Sequence, residues 1–177
     1  MITATTLITK RLQLSTPKKE DLEQVVSLLN ESPEFSNNTL NLPYPYTKAN
    51  GEFWISLAEN GLRNEDAVIF AIKDKKNLNL MGGIGLHITP AHHKAEVGYW
   101  IGKPFWNKGY ATEALESVLN YGLNQLNLNK IYGSHFLHNP ASGKIMEKCG
   151  MQIEATLIGE YYKNGNPLDI IRFAKFR

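Results

Sequence analysis

The middle of this sequence contains a strand, a glycine-containing loop and a long amphipathic helix in succession. Residues 95–101 are rich in Tyr, Trp, Val and Ile, which favours a strand, and 104–109 predicts a loop. Apolar residues recur at helical spacing over 111–126, and 131–137 predicts another strand. Two strands joined by a helix lie parallel in one sheet. The segment 95–137 therefore requires a fold with a parallel strand pair.

The flanking segments predict further strands and helices around this unit. Upstream we expect a strand at 11–14, helices beginning at Thr16-Pro17 and at Thr47, and a hairpin of the apolar runs 67–73 and 78–88. Downstream we expect a short helix from Asn139-Pro140 to Gly150 and two strands near 153–161 and 168–176. The order β-α-α-β-β-β-α-β-α-β-β predicts an α/β (α+β) fold in which about four helices cover a mostly antiparallel sheet of about seven strands.

Length and composition exclude several classes of protein. The 177 residues suit a single domain over 1–177, and an apolar fraction of 42% argues against disorder. A net charge of +2 is too small to indicate a dedicated nucleic-acid or membrane partner. The single cysteine fits a reducing compartment, and neither a signal peptide nor an apolar run of about 20 residues is recognisable. We therefore expect a cytoplasmic protein.

The loop before the long helix is a candidate anion site. Residues 107–112 are Asn-Lys-Gly-Tyr-Ala-Thr, and the first N–H groups of a helix lack intrahelical partners. These donors and the helix dipole favour a phosphate or pyrophosphate, with Gly109 permitting close approach and Lys108 adding charge. Alternatively, Gly109 serves only a tight turn. The chain has no G-x-G-x-x-G before a helix and no Walker loop, which argues against a nucleoside-triphosphate or dinucleotide enzyme.

Three groups of motifs carry a resemblance to a known family. Residues 96–101 are Glu-Val-Gly-Tyr-Trp-Ile, and 104–114 are Pro-Phe-Trp-Asn-Lys-Gly-Tyr-Ala-Thr-Glu-Ala. Asn-Pro-Ala-Ser at 139–142 precedes Met-Glu-Lys-Cys-Gly-Met at 146–151, and Arg-Leu-Gln-Leu stands at 11–14. Together these motifs resemble GNAT N-acetyltransferases, in particular the RimJ/RimL branch, which acetylates protein N-termini. The resemblance covers nearly the whole chain and implies an acetyl-CoA-dependent N-acetyltransferase with a splayed central strand pair.

The sequence departs from the family pattern at three positions. Trp106 stands where the general GNAT signature has Gln or Arg, as is usual in this branch. Asn107 replaces the branch's common Gly, which puts a tight approach of the loop to its ligand in question. Met151 replaces Phe, a substitution of similar volume that a core tolerates.

The resemblance also implies which residues bind acetyl-CoA. Backbone groups at the end of the central strand would pair with the pantetheine arm, and these belong to Tyr99, Trp100 and Ile101. The pyrophosphate would bind the amides of Asn107, Lys108, Gly109, Tyr110, Ala111 and Thr112. The side-chain amide of Asn139 would contact pantetheine, although a helix cap is the alternative role.

Two residues are candidates for proton transfer during acetyl transfer. The resemblance implies Glu96 as the base, acting through a water, whereas a strand-end carboxylate paired with a Lys such as Lys94 is the alternative. It implies Ser142 as the acid that donates to the CoA sulfur or hydrogen-bonds it, with helix capping as the alternative. The five His residues do not show a metal-ligand spacing, so no metal is expected. Cys149 is expected to be a packed thiol.

The implied acceptor is a primary amine. The first candidate is a protein or peptide α-amino group, and the second is a small-molecule amine (aminoglycoside, polyamine or amino acid). A third hypothesis is that the same fold serves as a non-catalytic acyl-CoA-binding domain. Acceptor choice is expected in the loops 37–46 and 160–169, which are aromatic and modestly charged and so favour a peptide terminus. The protein would act as a monomer or homodimer.

Overall fold

The computed structural model describes residues 2–177 as one eight-stranded sheet with five α-helices. The strands are β1 (Leu7–Ile8), β2 (Leu12–Ser15), β3 (Ala67–Asp74), β4 (Leu80–Thr89), β5 (Lys94–Ile101), β6 (Lys130–Phe136), β7 (Gln152–Lys163) and β8 (Asn166–Phe176). The helices are α1 (Leu22–Asn30), α2 (Glu34–Asn38), α3 (Lys48–Asn64), α4 (Tyr110–Asn120) and α5 (Pro140–Lys148). Within residues 2–177, no helix is long and apolar enough to span a membrane.

The sheet is antiparallel except at its centre. Its strand order is β1-β2-β3-β4-β5-β6-β8-β7, and only β5 and β6 are parallel among the neighbouring pairs. The connection between these two strands runs through α4, as the pattern over 95–137 predicts. The predicted fold class and its parallel portion are thus confirmed.

The structure contains one strand and one helix that the sequence pattern did not predict. β1 has only two residues, and α2 is a five-residue helix between α1 and the proline loop. Thr16 does not begin a helix, because a 3₁₀ turn over Lys19–Asp21 precedes α1 and Asp21 accepts the N–H of Lys18. The predicted cap at Thr47 is confirmed, since Thr47 Oγ1 accepts the N–H of Asn50 at 3.3 Å.

Helices pack on both faces of the sheet, and strand alternation assigns each residue to a face. Val68, Phe70 and Ile72 of β3 lie in one core cluster with α4 and α5, whereas Ala67, Ile69 and Ala71 lie in two clusters with α1 and α3. On β5 the same alternation places Val97 and Tyr99 toward α4 and α5. Glu96, Gly98 and Trp100 therefore lie on the face of α1 and α3.

The glycine run of residues 82–85 lies inside β4, where it serves strand packing. A Cβ atom added at Gly82 would lie 2.3 Å from the backbone oxygen of Trp100, and one at Gly83 would lie 2.6 Å from Nε1 of the same Trp. Glycine is required here because β5 approaches β4 closely. The run is consequently part of the wall that supports β5.

The start of α4 is tied to the turn between β1 and β2 by Glu113. Its Oε1 accepts hydrogen bonds from Thr9 Oγ1 at 2.6 Å and from the Arg11 N–H at 2.8 Å, and its Oε2 pairs with Arg11 Nε at 2.6 Å. Burial acts to raise the pKa of Glu113, but the hydrogen bonds from Thr9 and Arg11 outweigh it and lower the pKa overall. The ionised carboxylate thus fixes the beginning of α4.

Gly82→Ala should destabilise the protein by roughly 1–3 kcal/mol, because the methyl group overlaps the Trp100 backbone and must displace β5. The matched control is Gly98→Ala on the adjacent strand, where an added Cβ has no heavy atom within 4 Å. Urea denaturation of both variants measures the difference. Equal free energies of unfolding for the two variants would contradict this account of the glycine run.

Glu113→Gln should lower the free energy of unfolding by roughly 1–2 kcal/mol at neutral pH, because it weakens the charge-assisted bonds to Arg11. Because the pKa of Glu113 is lower in the folded protein than its unfolded value of about 4.3, ionisation of Glu113 stabilises the fold at pH values above about 4.3. This stabilisation is lost as the pH falls through the pKa of the folded state. The difference between wild type and variant should therefore shrink on acidification from about pH 5 to about pH 3. Urea titrations would show this, with the exposed Glu59→Gln as control. A difference that is constant over this range would refute the assignment.

Candidate functional site

β5 and β6 part from each other and leave a gap in the middle of the sheet. They pair only at Lys94 with Lys130, Ala95 with Ile131, and Glu96 with Tyr132. Beyond that point β5 remains paired with β4 and β6 remains paired with β8. The gap therefore exposes strand backbone that has no partner on one side, and the predicted splayed central pair is present.

The gap is open on the face of α1 and α3. A Cβ atom at Gly98 would find no heavy atom within 4 Å, so free space lies over β5 at this residue. Of the residues expected to pair with pantetheine, Tyr99 and Trp100 lie on the parted segment, as does Ile101. The carbonyl of Ile101 already accepts a hydrogen bond from Trp106 Nε1, which holds the loop after β5 against the strand end.

The loop before α4 presents a concave run of backbone N–H groups. Asn107 and Gly109 have positive φ values of 59° and 78°, and α4 begins at Tyr110. The first helical hydrogen bond joins the N–H of Glu113 to the carbonyl of Gly109, so the N–H groups of residues 110–112 precede it. Backbone of this shape at a helix N-terminus forms an anion-binding nest.

The left-handed conformation at residue 107 explains the departure from the family's glycine. Asn is the residue that, after Gly, most readily adopts positive φ. The substitution is therefore compatible with the loop geometry. The sequence predicted that Lys108 adds positive charge for the phosphate. In the structure Lys108 Nζ instead donates to the carbonyl of Pro104 at 2.8 Å, so its ammonium group is directed back onto the loop.

Arg11 supplies a second positive charge at this loop. Its Nη1 donates to the carbonyl of Lys108 at 2.8 Å, and its guanidinium carbon lies 4.4 Å from the ring centroid of Tyr110. A Cβ at Gly109 would lie 3.5 Å from Arg11 Nη2. The sequence motif at 11–14 contributed to the resemblance, but nothing in it indicated that its Arg contacts a loop 97 residues away.

Tyr99 and Ser142 are hydrogen-bonded to each other on the face of α4 and α5. The Tyr99 hydroxyl lies 2.9 Å from Ser142 Oγ and 3.0 Å from the Ser142 carbonyl oxygen. Because only the tyrosine can donate to the carbonyl, the Ser142 hydroxyl donates to Tyr99 in that arrangement. Burial raises the pKa of Tyr99 far above its usual value, so its hydroxyl is protonated at neutral pH.

Neither Ser142 nor Asn139 caps α5 through its side chain. Asn139 occupies the N-cap position but makes no side-chain capping hydrogen bond. The Ser142 hydroxyl lies against Tyr99. Asn139 is thus confirmed at the N-cap position, although its side chain makes no capping bond, and the capping alternative for Ser142 is wrong.

Glu96 lies at the last paired position before the gap, on the face opposite Ser142. Among residues 2–177 its carboxylate forms no ion pair, so the alternative of a pair with Lys94 is wrong. Burial raises the pKa of Tyr132 and Tyr161, and the negative charge of Glu96 raises both further. Glu96 therefore lies near two tyrosine side chains at the mouth of the gap.

Cys149 and the histidines have structural surroundings. Cys149 is buried with its Sγ 3.4 Å from the carbonyl of Thr112, and burial raises the pKa of this thiol to about 11. This supports a packed thiol. His135 is buried with its ring 5.7 Å from that of Phe173. In the part of the chain that the structure describes, no three His, Cys, Asp or Glu side chains group as a metal site.

The two segments expected to choose the acceptor contact each other. Lys163 Nζ donates to the carbonyls of Ser36 and Thr39, the latter at 2.6 Å, and His138 Nε2 donates to the carbonyl of Asn37 at 3.1 Å. Burial lowers the pKa of Lys163. The tip of the β7–β8 hairpin thus binds the carboxyl end of α2, beside a cavity of about 270 Å³.

Comparison with known proteins assigns a family to this arrangement. Residues 11–152 match the acetyltransferase (GNAT) domain. The chain is 36% identical over 101 residues to YoaA, an uncharacterized N-acetyltransferase of Bacillus subtilis (strain 168), a match covering 56% of this chain and 57% of the relative. It is 33% identical over 104 residues to the spermidine N(1)-acetyltransferase of Vibrio cholerae, over 58% and 60% of the two chains. This chain therefore matches somewhat more than half the length of these relatives.

Solved structures share the fold over almost the full length. RimL, a ribosomal L7/L12 alpha-N-protein acetyltransferase in complex with coenzyme A, superposes with a TM-score of 0.88 at 14% identity, covering 97% of this chain and 98% of RimL. The microcin C7 self immunity acetyltransferase MccE, in complex with acetyl-CoA and AMP, has a TM-score of 0.86 at 22% identity, covering 96% and 94%. With the family match, these findings show that the chain belongs to the GNAT family of acetyltransferases.

Proposed function

We propose that this protein transfers an acetyl group from acetyl-CoA to the α-amino group of a peptide or protein. The observation that carries the proposal is the parting of β5 and β6 beside the nest at 107–112. A thioester arm can enter the gap while its pyrophosphate binds the nest, since the two lie at the two ends of the loop that follows β5. Both features are needed by an acyl-CoA and neither is needed by a plain sheet.

The residues for acetyl-CoA follow from this placement. The nest formed by Asn107, Lys108, Gly109, Tyr110, Ala111 and Thr112 would hold the pyrophosphate. The parted backbone of Tyr99, Trp100 and Ile101 and the side-chain amide of Asn139 would hold pantetheine. Arg11 supports the same site, because it donates to the Lys108 carbonyl and places Nη2 3.5 Å from the position that a Cβ at residue 109 would occupy.

The proton-transfer groups approach the gap from opposite faces of the sheet. Glu96, on the face of α1 and α3, accepts a proton from the acceptor ammonium through a water. The neutral nitrogen then bonds to the thioester carbonyl carbon, a strand N–H stabilises the oxyanion, and the nitrogen, now positively charged, releases its second proton to water. As the carbon–sulfur bond breaks, Ser142, on the face of α4 and α5, donates its proton to the sulfur. Tyr99 is the positioning residue: when its hydroxyl donates to Ser142 Oγ instead of to the Ser142 carbonyl, the Ser142 proton can reach the sulfur. The second proton that the nitrogen released to water then restores the Ser142 hydroxyl.

The similar proteins point to two classes of acceptor. The likeness to RimL supports a protein α-amino group, whereas the relative named as a spermidine N(1)-acetyltransferase supports a polyamine. Open space at Gly98 and the half-exposed side chains of Tyr132 and Tyr161 lie on the face that an acceptor would approach. Such a surface suits an extended peptide end.

The purified chain should release CoA thiol from acetyl-CoA in the presence of peptides with a free α-amino group. A thiol-release assay with N-terminally free peptides, the same peptides blocked at the N-terminus, spermidine and an aminoglycoside compares the acceptor classes. Turnover with free peptides above all others supports the proposal. Turnover with spermidine alone would replace the acceptor, and tight acetyl-CoA binding without turnover on any amine would favour the non-catalytic reading.

Ser142→Ala and Glu96→Gln should each lower kcat by roughly 100-fold, the usual contribution of a general acid or base. Tyr99→Phe should lower kcat by about ten-fold, because Ser142 keeps its hydroxyl but loses its orienting partner. The dissociation constant for CoA, measured by calorimetry, should change by less than about three-fold.

Ser56→Ala and Glu59→Gln, at exposed positions on α3, are the matched controls for these variants. Loss of CoA binding in parallel with turnover would reassign Ser142 and Glu96 to positioning of the cofactor. Wild-type kcat in both Ser142→Ala and Glu96→Gln would remove their catalytic role.

A further inference from the structure

Arg172 lies on the acceptor face of the sheet, next to the mouth of the gap. It is on β8 directly opposite Ser134 of β6, whereas its neighbour Phe173 is buried on the other face against His135. Strand alternation therefore places Arg172 on the same face as Tyr132 and Glu96. The catalytic proposal assigns no role to this guanidinium.

The protein contacts of Arg172 leave much of its hydrogen-bonding capacity unused. Nη2 lies 3.4 Å from Glu160 Oε1, and Nε lies 3.5 Å from Ser134 Oγ, both at the long limit for hydrogen bonds. A guanidinium has five N–H donors in a planar fork, which matches a carboxylate in bidentate geometry. The side chain is 26% exposed, so a ligand can reach it.

Arg172 and Glu96 lie on the two strands that flank Tyr132 of β6. The guanidinium carbon is 5.2 Å from the centroid of Tyr132. Burial raises the pKa of Tyr132 and Tyr161, the charge of Glu96 raises it further in both, and the charge of Arg172 opposes that rise in both. Glu96, the candidate base, and the guanidinium of Arg172 thus lie close together on one surface, and a bound acceptor would extend over both.

The charges around Tyr132 are not those of a polycation site. Lys94 Nζ and Lys130 Nζ each lie 5.8 Å from the centroid of this ring, in addition to Arg172. Of the carboxylates nearby, Glu154 is paired with Lys130 and Glu160 faces Arg172. With the candidate base Glu96 included, three carboxylates balance these three cations, so the site has no excess negative charge for the second or third ammonium of a polyamine.

We propose that Arg172 is the residue that selects the acceptor, by binding a carboxylate located shortly after the acceptor amine. This rests on the proposed function and names its substrate class: a peptide with Asp or Glu at the third position. Glu96 of β5 is paired with Tyr132 of β6, and Ser134 of β6 is paired with Arg172 of β8. Glu96 and Arg172 are therefore two strands and two residues apart, so about 12 Å separates their backbones. The side chains of Glu96 and Arg172 cover part of this distance. The remainder corresponds to two or three residues of an extended peptide, at about 3.3 Å per residue.

The test compares three peptides that differ only at the third residue, which is Glu, Gln or Lys, with the full chain and saturating acetyl-CoA. Wild type should acetylate the Glu peptide with a kcat/KM roughly ten-fold or more above that of the Lys peptide, mainly through KM. Arg172→Gln should remove this preference, and Arg172→Glu should reverse it. Arg63→Gln on α3 is the matched control and should leave it unchanged.

Thermal unfolding and CoA affinity show whether the variants are folded. Arg172→Lys is a further variant, which keeps the positive charge and loses the planar guanidinium. A preference for Glu that survives in Arg172→Gln and Arg172→Glu would overturn the proposal, as would peptide acetylation by wild type without any preference. Absence of acetylation of all three peptides is a different outcome. It would refute the proposed peptide acceptor and the selection by Arg172 together, and turnover with spermidine would then identify the acceptor.

Discussion

The parting of two parallel strands is the constraint on which the rest of the site depends. If β5 and β6 remained paired beyond Glu96 and Tyr132, the sheet would be continuous and no path would connect its two faces. Each strand keeps a second, antiparallel partner to its end, β4 for β5 and β8 for β6. The gap is therefore preformed by hydrogen bonds on its outer sides, and close packing at Gly82 and Gly83 supports one of its walls.

Strand alternation then determines how chemistry is divided between the two faces. Glu96 and Tyr99 are three residues apart on β5, an odd number, and so point to opposite faces. Tyr99 meets Ser142 under α5, whereas Glu96 lies among the tyrosines on the open face. Separation of this kind suits direct transfer, because the proposed base and the proposed acid would act from two sides of one thioester.

The hydrophobic pattern of the sequence predicted the long, periodic strands and helices. It did not predict the shortest elements or the residues whose positions depend on contacts between distant segments. The hairpin of β3 and β4, the long α4 and the parallel unit follow from residue order alone. β1 has two residues and α2 has five, too few for a period to be visible. Arg11 and Arg172 were missed as site residues because their positions depend on strand register and on contacts with residues such as Glu113, 102 positions away.

The helix α2, which the sequence pattern did not predict, joins the two segments that are expected to choose the acceptor. Phe35 on α2 packs edge-to-face on Trp100 and Trp106, with ring centroids 6.3 and 5.8 Å apart. The carboxyl end of the same short helix binds Lys163 from the β7–β8 hairpin. One short helix therefore contacts both that hairpin and the two tryptophans, Trp100 on β5 and Trp106 in the loop before α4. Five residues whose sequence showed no helical pattern thus connect the β7–β8 hairpin with the loop before α4.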